Sequence, residues 1–139
     1  MSTLDRLYLK PTEETPEIIF DKDKPEFRVT GKSYMEDATA HYNMVLAWLN
    51  LYRQQPNDTT IFRFELEYVN TASSKIVHDI LDALDNLFLD GNNVIIEWHY
   101  YEEDEDMLEM GQEFEEIYEV PFKYEEIKYD RPENLFEID

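Results

Sequence analysis

The chain has 139 residues, with 12 Lys and Arg against 33 Asp and Glu, a formal net charge of −21. A basic surface is what draws a protein to nucleic-acid phosphates and to anionic membranes, so both are disfavoured and a partner with a basic face is favoured. Apolar residues at 42% and aromatic residues at 14% supply a core, so the acidity does not imply disorder, and the absence of cysteine excludes a disulfide framework, a thiolate nucleophile and a Cys-based zinc site.

Residues 7–9 read as an edge strand or arm. Residues 17–21 and 27–31 form a strand pair around the turn residues 21–25. A helix is expected over 37–54, where Ala38, Tyr42, Val45, Leu46, Leu49 and Tyr52 recur at helical spacing before Pro56. Residues 59–68 then alternate, with Phe62, Phe64, Leu66 and Tyr68 on one face and Arg63, Glu65 and Glu67 on the other, the mark of a sheet with one covered and one wet side. A second helix spans 71–89, apolar along Ile76, Val77, Ile80, Leu81, Leu84, Leu87 and Phe88 and polar along Lys75, His78, Asp79, Asp82, Asp85 and Asn86. A strand follows over 94–101 with Val94, Ile96, Trp98 and Tyr100 on one face. A third helix over 104–118 carries Met107, Met110, Gly111, Phe114, Ile117 and Tyr118 in one stripe, and 122–127 is a last strand. No apolar run approaches 18 residues and the first residues lack an apolar signal core, so a cytoplasmic protein is expected.

The order is an N-terminal hairpin followed by alternating α and β, which argues for an α/β fold with a mixed, largely parallel sheet. The wet strand face argues for helices mainly on one side. This layout resembles the STAS domain, the fold of bacterial anti-sigma-factor antagonists. One STAS-like domain is expected, its core at about 7–127 and its tail at 128–139.

Chemistry concentrates where the strand over 59–68 gives way to the second helix. Asn70 or Thr71 suits the N-cap, since a short side-chain oxygen accepts an otherwise unpaired helical N–H. The N–H groups of Ala72, Ser73 and Ser74 would then face an anion with the helix dipole behind them. A phosphate on Thr71 would meet those groups and Lys75, and Thr71, Ser74, Lys75 and His78 fall on one helical stripe. On local features alone the same residues also read as an ordinary cap with polar neighbours.

Three segments resemble the SiaC family of bacterial regulatory phosphoproteins. They are Leu66-Glu67-Tyr68-Val69-Asn70-Thr71-Ala72-Ser73-Ser74-Lys75, the run from Gly31 to Ala38 (GKSYMEDA), and the aromatic-then-acidic run from Trp98 to Gly111. The resemblance implies a non-enzymatic STAS-like partner switch. Thr71 would be the phosphoacceptor, among Asn70, Ser73, Ser74 and Lys75. A kinase of the histidine-kinase ATPase type would add the phosphate and a PP2C-type phosphatase would remove it. The unphosphorylated form would bind a diguanylate cyclase and promote cyclic-di-GMP synthesis.

The acids of the second helix and of the run Glu102-Glu103-Asp104-Glu105-Asp106 are expected to contribute to docking, with His78, Asp79, Asp82, Glu102, Glu103 and Asp104 as the partner-facing set. The run also suits a solvated helix start, because acids complement the dipole there. It lacks the Gly and the spacing of a calcium loop, so no metal or other cofactor is expected. His41, His78 and His99 are not spaced as a ligand set. Trp48 and Trp98 read as core, while His99 and Tyr101 are expected on the open sheet face. Two other readings are an acidic decoy for a basic protein surface and a small enzyme using paired carboxylates.

Overall fold

The computed structural model describes residues 4–34 and 39–128, the side chains of 39–41 excepted. Ala38, the end of the GKSYMEDA run and the tail from 129 onward lie outside the described residues. The elements are β1 (Leu7–Leu9), β2 (Glu17–Phe20), β3 (Glu26–Ser33), α1 (Thr39–Tyr52), β4 (Thr59–Val69), α2 (Thr71–Leu89), β5 (Asn93–Tyr101), α3 (Glu105–Ile117) and β6 (Phe122–Ile127). The six strands lie side by side in chain order. β1 to β3 pair antiparallel, and β3 to β6 pair parallel. The short edge segment is therefore a strand of the sheet, and α1, α2 and α3 are the three crossovers that parallel pairing requires.

Strand alternation places Ile18, Phe20, Phe27, Val29, Phe62, Phe64, Leu66, Val94, Ile96 and Trp98 on one face, all buried. The inner faces of all three helices join the same core: Trp48 and Tyr52 from α1, Ile80, Leu81 and Leu84 from α2, Met107 and Phe114 from α3. The helices thus cover one side of a mixed sheet, the expected α/β layout, which is compatible with a STAS-like arrangement. Trp48 packs against Phe20 and Phe27 at ring distances of 5.3 Å and donates its indole N–H to the Asp5 carbonyl at 2.7 Å. Trp98 donates to the Met107 carbonyl at 2.9 Å.

The other sheet face is charged. Register puts Arg28, Arg63, Glu97 and Lys123 in one row and Thr30, Glu65, His99 and Glu125 in the next. Arg63 pairs with Glu65 and, at 3.5 Å, with Glu26. His99, expected to be exposed, is only 9% so. Its row neighbours Glu65 and Glu125 flank it, and Glu97 lies 3.4 Å from its ring nitrogen.

Three further expectations fail at single residues. Tyr68 is not on the core face. β4 carries an extra residue, Glu67, between the pairs Gly31–Leu66 and Lys32–Tyr68. This bulge turns Tyr68 to the opposite side, where it is 51% exposed and meets the Tyr34 ring edge-on at 5.6 Å. Gly31 sits at the same irregularity with φ +122°, a conformation that L side chains rarely adopt. Ile117, placed in the apolar stripe of α3, is 60% exposed because that helix ends there. Asp85, placed on the wet side of α2, is buried and accepts the N–H groups of Glu119 and Val120, each at 2.9 Å.

Candidate functional site

Because β3, β4 and β5 run parallel, their carboxyl ends lie at one edge of the sheet. That edge gathers Ser33 and Tyr34, the segment from Tyr68 to Thr71, and the turn from Glu102 to Asp104. The first two are stitched directly, since the Asn70 N–H donates to the Ser33 carbonyl at 2.9 Å.

Asn70 is the N-cap of α2. Its backbone is extended (φ −82°, ψ 177°), and its side-chain oxygen accepts the Ser73 N–H at 2.9 Å. Its carbonyl accepts the Ser74 N–H at 2.8 Å, opening the helical ladder. Thr71 follows as the first helical residue, with its side chain exposed. Among the described residues, the Thr71 and Ala72 N–H groups have no acceptor.

The expectation that Ser73 and Ser74 also turn their N–H groups to an anion is therefore corrected: the Asn70 cap uses both. Ser73 is not at the surface either. It is 1% exposed and accepts a hydrogen bond from the Ser33 hydroxyl at 2.7 Å. Ser33 in turn takes the Tyr42 phenol at 2.8 Å. This buried chain fastens the end of β3, the first turn of α1 and the first turn of α2 together, and burial pushes the Tyr42 phenol up from its ordinary range. The cue was available in sequence: Ser33 continues the inward parity of Phe27 and Val29.

Ser74 is half-buried and Lys75 is exposed, one turn below Thr71. No acid occupies the first turn of α2, whereas Glu105 and Asp106 occupy that of α3. In a chain of charge −21, the helix start beside Thr71 thus carries no acid that would oppose an added anion.

The expected partner-facing residues fall into two places. Glu102, Glu103 and Asp104 lie at the same sheet edge as Thr71. Asp104 is spent on structure, capping α3 by accepting the Met107 N–H at 3.1 Å. Glu103 is exposed at φ 70°, and Glu102 is half-buried with Lys128 3.8 Å away. His78, Asp79 and Asp82 are exposed farther along α2. His78 leans toward α3, where its ring nitrogen meets the Tyr118 hydroxyl and its carbonyl accepts from that hydroxyl at 3.0 Å. Asp79 and Asp82 face α1 across a groove. Among the described residues no cluster of His, Asp or Glu is arranged to hold a metal ion, and no helix is long and apolar enough to cross a membrane.

The family model of the SiaC family regulatory phosphoproteins matches residues 9–127. The chain belongs to the SiaC family. An uncharacterised protein of Pseudomonas aeruginosa strain UCBPP-PA14 is 30% identical over 116 residues, covering 84% of this chain and 92% of that one. The solved structure of SiaC of P. aeruginosa is 28% identical and superposes with a TM-score of 0.81 over 88% of this chain and 99% of that one. SiaC as seen in the crystal structure of the diguanylate cyclase SiaD in complex with its activator SiaC, also from P. aeruginosa, is 29% identical with a TM-score of 0.81, over 87% of this chain and 99% of that one. SiaC-family membership makes this chain a regulatory protein rather than an enzyme, and the reading as a small carboxylate enzyme falls with it.

Proposed function

We propose that this SiaC-family chain is a partner switch in which reversible phosphorylation of Thr71 controls binding to a diguanylate cyclase. The cyclase is taken from the complex formed by the P. aeruginosa relative. The observation that carries the switch is the exposed hydroxyl of Thr71 at the first position of α2, beside two open N–H groups and with no acid in that turn. A phosphate there adds a charge of about −1.5 to −2 on a helix start that favours anions. Lys75, one turn on, is the nearest basic side chain along the helix.

The unmodified helix start is the binding-competent form. The phosphate adds bulk and charge at the docking edge and releases a partner that packs there. A kinase of the histidine-kinase ATPase type adds the group, and a PP2C-type phosphatase removes it. Asn70 holds Thr71 in place through the cap, and the Ser33–Ser73 bond fixes the turn beneath it.

The test is phosphorylation in vitro by the cognate kinase, with the site located by mass spectrometry. Phosphate at Thr71, none on Thr71→Ala, constitutive cyclase binding by Thr71→Ala and at least tenfold weaker binding by Thr71→Asp are expected. Phosphate at another residue would overturn the assignment. Binding that ignores Thr71→Asp and collapses with salt would instead support the acidic-decoy reading.

A further inference from the structure

The groove between α1 and α2 is not accounted for by the phosphosite. It is an open trough of about 450 Å³, with Leu46 and Ala83 along its apolar floor. Asp79 and Asp82 stand exposed on the α2 wall, and among the described residues neither has an ion pair. Its far end is closed by Arg53, just past the end of α1, held to Asp90 through two hydrogen bonds of 2.8 and 3.1 Å. That pairing neutralises Arg53, so the trough keeps the sign of its two aspartates.

We propose that this groove docks an amphipathic helix of the partner, apolar on the side that enters between α1 and α2 and basic on the flank that meets Asp79 and Asp82. The inference rests on the reading that a protein partner binds at α2. An apolar floor with small Ala83 leaves room for the side chains of an incoming helix, the usual helix-in-groove arrangement. Two unpaired aspartates on one wall, in a chain of charge −21, select a basic flank. The same wall leads to the switch. Thr71, Lys75 and Asp79 succeed one another at i, i+4 and i+8, so the α2 wall, followed beyond the groove toward the start of the helix, reaches Thr71 about 12 Å along the axis from Asp79. A docked helix of about 18 residues reaches from Asn86 past Thr71.

The test uses the full chain, ¹⁵N-labelled, and a synthetic 18-residue helical peptide with Leu at i, i+3, i+4 and i+7 and Lys on one flank. Two controls are the same peptide with Glu for every Lys, and a scramble of equal composition without an apolar face. Saturable binding of the Lys peptide at least tenfold tighter than either control is expected, with the largest amide shifts on the facing sides of α1 and α2. The doubly substituted Asp79→Lys, Asp82→Lys chain changes only exposed side chains and so should fold. It should bind the Lys peptide at least tenfold more weakly. Equal binding of the three peptides, shifts centred on α3 or the open sheet face, or no saturable binding would overturn the proposal. Thr71→Asp separates the two readings. If it binds the peptide like the wild type while the aspartate variant does not, the groove stands and the switch falls. If it loses binding while the aspartate variant keeps it, the groove falls and the switch stands.

Discussion

At Gly111 the backbone of α3 lies directly on the Trp98 indole. A Cβ built there would sit 2.6 Å from two ring atoms, and Trp98 is fully buried and tied to the Met107 carbonyl. Alanine is the better helix former by about 1 kcal/mol, but core overpacking costs about 1–3 kcal/mol and the rigid ring cannot give way cheaply. Gly111→Ala should therefore lower stability in urea denaturation and change the near-ultraviolet signal of Trp98; wild-type stability would show that the helix shifts freely. Tyr118 is a second sensitive position. Burial first, then the charges of Asp82, Asp85 and Asp79, push its phenol up to about 12. A raised folded pKa contributes stability fully present below the unfolded value near 10 and lost as pH rises through 12. Spectrophotometric titration should show Tyr118 ionising after the exposed tyrosines, and Tyr118→Phe should remove that late step. Tyr124, held up by burial and Glu115, should leave a separate one. Single residues are also where sequence reading fell short. Trp98 was legible as core from strand alternation, and Trp48 from its residue type. His99 was not, because its cover comes from neighbours on β4 and β6 that only the register reveals.

Among the elements, α2 was the most legible. Asn70 caps it, the apolar stripe has helical period, and Gly91 follows it, so its bounds 71–89 read correctly. β4 was legible up to Leu66 and not beyond. The bulge at Glu67 depends on how β3 pairs with it, and a two-residue period cannot announce a long-range pairing. The exposed pair Tyr34 and Tyr68 beside the start of α2 follows from that bulge. Asp85 misled for a similar reason: its partners lie more than thirty residues on, in the link from α3 to β6. Asp85→Ala leaves two N–H groups without their acceptor, and buried unpaired donors cost about 1–3 kcal/mol each. A loss of about 2–4 kcal/mol is expected, with faster hydrogen exchange at Glu119 and Val120 than in the wild type. Asp85→Asn should lose less, since its amide oxygen still accepts. Equal losses for the two variants would mean that the charge matters more than the acceptor.

For the whole molecule, the one-sided helix layer was legible from the wet strand face, since right-handed crossovers between successive parallel strands carry each helix to the same side. What no local pattern shows is that Asp79 and Asp82 line a groove against α1 while Glu102 to Asp104 gather at the sheet edge that also carries Thr71. The net charge of −21 belongs to this scale too. A phosphate would change it by roughly a tenth, so the proposed switch at Thr71 would act locally rather than through the total. Screening sets the distance: the Debye length is about 8 Å at 0.15 M salt and about 30 Å at 0.01 M. Asp79, about 12 Å from Thr71 along the helix, is thus largely screened from a phosphate in physiological salt but not at low salt. Two salt effects of opposite sign follow. Folding brings like charges together, so raising NaCl from 0.01 to 0.15 M should raise the melting temperature, at roughly 2–8 °C per kcal/mol of repulsion removed. Binding of a basic helix should weaken over the same range, while the ratio of wild-type to Thr71→Asp affinity should persist, because contact at Thr71 is not screened. Calorimetric melting and titration on the same samples measure both. A melting temperature that falls would mean that Arg53–Asp90 and the Arg63 pairs outweigh the repulsion. A wild-type to Thr71→Asp ratio below one at 0.01 M would mean that the added negative charge attracts the basic helix more than the substitution at Thr71 excludes it.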